Sequence, residues 1–141
     1  MKNNLSKIAL LMFALILTGF IFIIGCGGGD DPEKGIGPIK EIKLEAAIDN
    51  NLVAKGKQIF DLKCVACHKF DEKLVGPPLK DVTKRRKPEW IMNMILNPDQ
   101  MLKENMIAKN LLAQYLTPMT FQNVTQDDAR ALLEYFRSMD K

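Results

Sequence analysis

Histidine occurs once in this chain, as His68, and cysteine three times, as Cys26, Cys64 and Cys67. That scarcity excludes much. A structural zinc site takes four Cys or His ligands. Outside the N-terminal apolar run only Cys64, Cys67 and His68 remain, so the chain cannot complete such a site alone. No nucleophile–base pair, paired carboxylates or second metal site stands out. Internal repeats are absent, and no apolar–polar alternation is long enough to suggest a sheet. Without a strand nearby, Cys64-Val65-Ala66-Cys67 lacks the βαβ setting of a thioredoxin-like redox pair. The 141 residues suffice for one small domain with extensions.

What is present is Cys64-Val65-Ala66-Cys67-His68, a C-x-x-C-H element. Its spacing is that of covalent c-type haem attachment. Two thiols separated by one turn can add across the two vinyl groups of a haem. The histidine that follows can then sit beneath the iron as proximal ligand. With no second histidine, the sixth ligand must be another donor, or the position stays open. Of the eight methionines, Met1 and Met12 lie in the N-terminal apolar segment. Met92, Met94, Met101 and Met106 fall on expected helices, where packing is the usual role, and Met139 ends the last one. Met119 differs, standing in the loop Thr117-Pro118-Met119-Thr120-Phe121 between two helical patterns. Pro118 stiffens that approach, which makes Met119 the expected distal ligand, with Met106 and Met101 in reserve.

The N-terminus has its own signal. Lys2 and Lys7 precede a nearly unbroken apolar run of 17 residues, Ile8 to Ile24. This is the layout of an export signal. Ile23-Ile24-Gly25-Cys26 resembles the lipobox of bacterial lipoproteins, where cleavage leaves a lipidated cysteine as first residue. Residues 1–25 are therefore expected to be a signal peptide, and Cys26 a lipid-bearing membrane anchor, with an uncleaved helix as the rival. All three cysteines then have a use, and none is left for a disulfide. Residues 26–50, rich in Gly, Asp and Pro, read as the lipidated Cys followed by a flexible linker. Residues 27–50 carry a net charge of −3, and residues 51–141 carry +4.

Residues 51–141 read as one all-α domain. Asn51 to Lys63 has helical spacing, and a loop from about Lys69 to Lys87 contains Gly76-Pro77-Pro78. Pro88 and Glu89 suit a helix start, with Trp90, Ile91, Met94 and Ile95 on one face. Asn97-Pro98 interrupts, and Asp99 to about Leu116 carries the next pattern. Thr125 to Asp128 resembles a capping box opening a last helix. So small a core gains from a large apolar cofactor.

On these motifs residues 50–141 resemble class I c-type cytochromes, which implies helices packed around one covalent haem. Gly56 and Phe60 match the family's N-terminal helix, and Leu132 and Tyr135 match their partners on the last. Gly76-Pro77-x-Leu79 matches the loop after the haem motif. There the resemblance implies that the Pro77 carbonyl accepts a hydrogen bond from His68, orienting the ring. It also implies an arginine near the haem propionates, Arg85, with Arg86 as near a candidate. Pro118-Met119 resembles the axial-Met loop, although in the family Pro more often follows the Met. From Val75-Gly76-Pro77 to Asp99 the chain is similar to lipoprotein monohaem cytochromes found alongside nitrous-oxide reductases. Haem attachment outside the cytoplasm agrees with export to the periplasm.

The expected function is one-electron transfer between a membrane oxidoreductase and a terminal reductase or oxidase, by a monomer that is not an enzyme. The alternative is a haem-based sensor or small-molecule binder with a displaceable sixth ligand. A peroxidase-like enzyme would want a distal acid–base residue, and a second histidine is missing. The lysines Lys55, Lys57, Lys63, Lys69 and Lys73 suggest a redox partner with an acidic docking patch. Lys84-Arg85-Arg86-Lys87 reads as a solvated face, with no nucleic acid as partner.

Overall fold

Asp49 opens the first helix by accepting hydrogen bonds from the backbone N–H groups of Asn51 (2.8 Å) and Leu52 (3.2 Å). This satisfies donors that a helix start leaves free. In the computed structural model, which describes residues 31–140, that helix is α1 (Asn50–Lys63). Five more follow: α2 (Val82–Arg85), α3 (Pro88–Leu96), α4 (Pro98–Glu104), α5 (Met106–Tyr115) and α6 (Gln126–Met139). No strand occurs among the described residues, and the all-α expectation holds. The expected signal peptide and Cys26 lie outside the described residues.

α1 crosses α6 at Gly56. A methyl group there would stand 2.6 Å from the Ala131 carbonyl carbon and 2.9 Å from Tyr135 Cβ, so only glycine permits this approach. One turn on, Phe60 enters an aromatic cluster with Phe70, Tyr135 and Phe136, ring centroids 5.4–6.1 Å apart. Thr125 and Asp128 do form a reciprocal capping box at the start of α6. α3 packs between α6 and the N-terminal segment, burying Trp90, Ile91, Met92 and Ile95.

Three expectations need correction. The segment Asp99 to Leu116 is two helices, because Asn105 breaks it. Its buried side chain accepts from Ala108 N (3.1 Å) and from Trp90 Nε1 (3.1 Å), so it caps α5 and satisfies the indole together. The loop from Lys69 to Lys87 contains α2. Asp140, at the far end of the chain, caps it by accepting from Asp81 N, Thr83 N and Thr83 Oγ1 at 2.7–2.8 Å. Last, residues 31–49 are not a free linker but a strap tied along the domain. Fully buried Asn93 accepts from Ile39 N (2.9 Å) and donates to the carbonyls of Lys34 (3.0 Å) and Ile39 (2.8 Å). Asn105 donates to Pro32 O (2.8 Å), and Lys87 pairs with Asp31 (2.8 Å). Glu134 on α6, held by Arg130 and Arg137, accepts from Asp49 N (3.1 Å). Composition suggested a tether because the segment opens rich in Gly, Asp and Pro, yet Ile39 is buried in the core, Ile36, Ile42 and Leu44 pack against it, and backbone hydrogen bonds to helix side chains add to that hold.

Candidate functional site

The turn after α1 builds the first wall of a deep cleft. His68 N and Cys67 N both donate back to Cys64 O (2.9 and 3.0 Å), winding the C-x-x-C-H element into one turn. Gly76 N donates to Cys67 O (2.9 Å), folding the following loop back over that turn. His68 Nδ1 lies 3.1 Å from Pro77 O. A carbonyl can only accept, so Nδ1 carries the proton and Nε2 keeps its lone pair. Gly76 makes room for this: a Cβ there would stand 2.5 Å from His68 Cε1. Burial lowers the affinity of His68 for a proton, and the Pro77 bond partly opposes this. The balance favours the neutral imidazole that a metal needs.

The cleft has a volume of about 190 Å³, far more than the roughly 10–15 Å³ needed by one water. Cys64, Cys67, His68 and Met119 all line it, as do Pro77 and Arg85. The structure thus brings the sequence-derived candidates 64, 67, 68, 77, 85 and 119 to one cavity. The two reserve methionines are elsewhere. Met101 is fully buried and its sulfur accepts from Ile36 N (3.0 Å) on the strap. Met106 is 62% exposed at the start of α5. Met94, assigned above to packing, does line the cleft, and so does Trp90. Their i, i+4 spacing on α3 puts both on one face, a signal the sequence contained. Lys63, also on the wall, was not foreseen as a site residue; its Nζ donates to Gln122 O (2.8 Å) and Asn123 O (3.3 Å).

These residues suit a large, flat, mainly apolar group with an anionic edge. The walls are largely aliphatic and aromatic, while Arg85, Arg86 and Lys63 supply cations. Arg85 donates to Pro78 O (3.1 Å) and Lys80 O (2.9 Å), and Arg86 lies over the Trp90 ring at 5.4 Å. Burial pushes the Cys64 thiol up to about 11. The site therefore disfavours a thiolate but not an uncharged thioether. No three His, Cys, Asp or Glu side chains converge as an ion cage among the described residues.

The five lysines of the expected basic surface are all engaged within the molecule. Lys55 pairs with Asp128 (2.9 Å), Lys57 with Asp61 (2.5 Å) and Lys69 with Glu72 (2.6 Å). Lys63 holds the two carbonyls above, and Lys73 lies over the Tyr115 ring at 5.0 Å.

Comparison with known proteins points the same way. A family model described as cytochrome c matches residues 53–140. A cytochrome c from Rhodothermus marinus is 45% identical, with a TM-score of 0.74 over 77% of this chain and 97% of that one. An engineered form of that cytochrome, Rma TDE, is 44% identical with the same coverage and TM-score. The engineered form bound to a carbene intermediate is 43% identical, with a TM-score of 0.71. A search of curated proteins returns no match.

Proposed function

The chain belongs to the cytochrome c family, and on that premise we propose that it is a membrane-tethered one-electron carrier with His/Met ligation. Family membership makes it an electron carrier rather than an enzyme, with one covalent haem c. When bound, that group supplies a one-electron iron couple. In our assignment Cys64 and Cys67 would hold it as thioethers, and His68 would ligate its iron. Pro77 fixes the histidine's tautomer and orientation. Met119 would be the second iron ligand, and Arg85 would serve the anionic edge. The observation that carries the proposal is that Cys64, Cys67, His68 and Met119 line a single apolar cleft.

Redox titration of the purified holoprotein tests it. We expect one reversible one-electron wave, a low-spin ferric spectrum and a Met–iron charge-transfer band. A high-spin ferric spectrum would point to the sensor or ligand-binding alternative.

The tether is a further part of the proposal. The apolar run Ile8 to Ile24 ending in Gly25-Cys26 supports anchoring through Cys26 and its acyl chains. Cys26→Ser should abolish palmitate labelling; equal labelling of both forms would reject lipidation. Asp31 is tied to the domain by Lys87, so residues 26–31 span at most roughly 18 Å between Cys26 and that contact when extended. The domain would then work close to a membrane, on its periplasmic face, as a monomer serving membrane-bound redox proteins. Its acceptor would be a terminal reductase or oxidase.

A further inference from the structure

Met119 reaches the cleft from the segment 117–123, which joins α5 to α6. Among the described residues, no backbone-to-backbone hydrogen bond engages any position of that segment. Gln122 bonds only inward, its Nε2 donating to Thr120 O (3.1 Å) and Thr120 Oγ1 (3.0 Å). The hydrogen bonds that tie the segment to the rest of the described protein come from one side chain. Lys63 Nζ donates to Gln122 O (2.8 Å) and Asn123 O (3.3 Å). Packing adds to this hold, since Met119 is partly buried against the core and Val124, just beyond, is buried.

The place of Lys63 in the chain gives the contact its meaning. It is the last residue of α1 and stands directly before Cys64. The lysine therefore joins the haem-attachment turn to the segment that carries Met119. Asn123 stands in the left-handed region, with φ +51°, which asparagine tolerates better than most residues. Its carbonyl and the one before it both meet the ammonium. A cation in the last turn of α1 would favour the helix dipole wherever its head lay. That role does not call for acceptors 59 and 60 residues away.

We propose that Lys63 is a positioning residue for the second iron ligand: it latches the 117–123 segment to the haem-attachment turn and so keeps Met119 seated against an incoming ligand. The inference rests on the His68 and Met119 ligation proposed above. A segment with so few backbone bonds opens locally at low cost. Each opening withdraws the Met119 sulfur and leaves a coordination position for another neutral donor, with no change in oxidation state. An added ligand binds only the open form, so its apparent affinity rises in proportion to the open fraction. Loss of the charge-assisted latch raises that fraction.

Imidazole titration of the ferric, full-length holoprotein, followed by the main haem absorbance band, tests this. Lys63→Leu keeps an apolar stem and removes the donor. It should lower the half-saturating imidazole concentration about threefold to tenfold. Lys63→Arg, which can still donate to both carbonyls, should stay within about twofold of wild type. Lys69→Leu removes an equal charge from the same region without touching the segment, and should also stay within about twofold. In a Met119→Ala background, adding Lys63→Leu should change the affinity less than about twofold, because the ligand it positions is gone. Hydrogen exchange of the holoprotein should quicken at residues 119–124 in Lys63→Leu while α1 and α6 stay protected. An unchanged imidazole affinity in Lys63→Leu would overturn the inference. So would an equal shift in Lys69→Leu, which would make the effect one of general charge, or a full shift persisting in the Met119→Ala background. A wild type without the Met–iron charge-transfer band would instead fail the Met119 assignment itself, which keeps the two failures distinct.

Discussion

Gly76 lies against the His68 ring so closely that a Cβ there would stand 2.5 Å from Cε1 and 2.9 Å from Nδ1. The same loop supplies the Pro77 carbonyl to Nδ1 at 3.1 Å. One short segment thus sets both the position and the tautomer of the only histidine. Gly76→Ala should push the ring away from Pro77. Forced overpacking of this kind costs about 1–3 kcal/mol. We expect a lower melting temperature and a smaller haem-loaded fraction by intact mass. A fully loaded variant of wild-type stability would show that the loop simply moves aside.

Met119 and Met94 both line the cleft, from opposite kinds of structure: a loop after Pro118 and the middle of α3. Met119→Ala should abolish the charge-transfer band and lower the reduction potential, because loss of a Met ligand removes what raises it. Met94→Leu, a packing exchange worth less than about 1.5 kcal/mol, should leave the band in place. The reverse pattern would transfer the ligand assignment to Met94.

Much of this was legible in the sequence, for local reasons. C-x-x-C-H, Gly76-Pro77 and Pro118-Met119 are short elements whose chemistry depends on neighbours in the chain. The α1–α6 crossing was readable because Gly56, Phe60, Leu132 and Tyr135 match the paired helix positions of class I c-type cytochromes. The strap was not readable. Its partners Asn93, Met101 and Glu134 lie 54 to 85 residues away and look like ordinary helix residues. The α2 cap was hidden for the same reason, since Asp81 and Asp140 are 59 residues apart. The split at Asn105 was obscured because Leu102 and Met106 keep the apolar pattern running past it.

Asn93→Ala tests the strap. Three hydrogen bonds, two of them buried, would be lost, and Ile39 N–H would be left without its acceptor. Net bonds of about 1 kcal/mol each, plus an unpaired buried amide, predict a loss of about 2–4 kcal/mol. Thermal denaturation should show the loss, and hydrogen exchange at Ile39 should quicken while α1 and α6 stay protected. Unchanged exchange at Ile39 would mean that other contacts hold the strap.

Asp128 links α6 to α1 through Lys55 (2.9 Å) and closes the capping box with Thr125. The Lys55 hydrogen bond, followed by that of the Thr125 backbone, holds its carboxyl down at about 2. The folded value lies below the unfolded one, about 3.9. The stabilisation is therefore complete above that unfolded value and is lost as pH falls toward 2. Asp128→Asn should flatten the decline of the melting temperature between about pH 4 and pH 2. A variant whose acid profile parallels the wild type would place the acid-sensitive group elsewhere.

Asp140 is the second-to-last residue, yet it is buried and its carboxylate accepts from Asp81 N, Thr83 N and Thr83 Oγ1. It thereby fixes α2, whose last residue, Arg85, reaches the cleft. A four-residue helix cannot hold itself in water, so its order depends on this cap and on packing against α6. Asp140→Ala removes all three acceptor contacts and should cost about 1–3 kcal/mol. Asp140→Asn, which keeps one carbonyl oxygen, should fall between it and the wild type. Thermal melts should rank the three forms in that order, and Thr83 should show the largest rise in hydrogen exchange. If the alanine variant matches the wild type in both measurements, α2 is held by packing against α6 and the end of the chain is dispensable to the cleft.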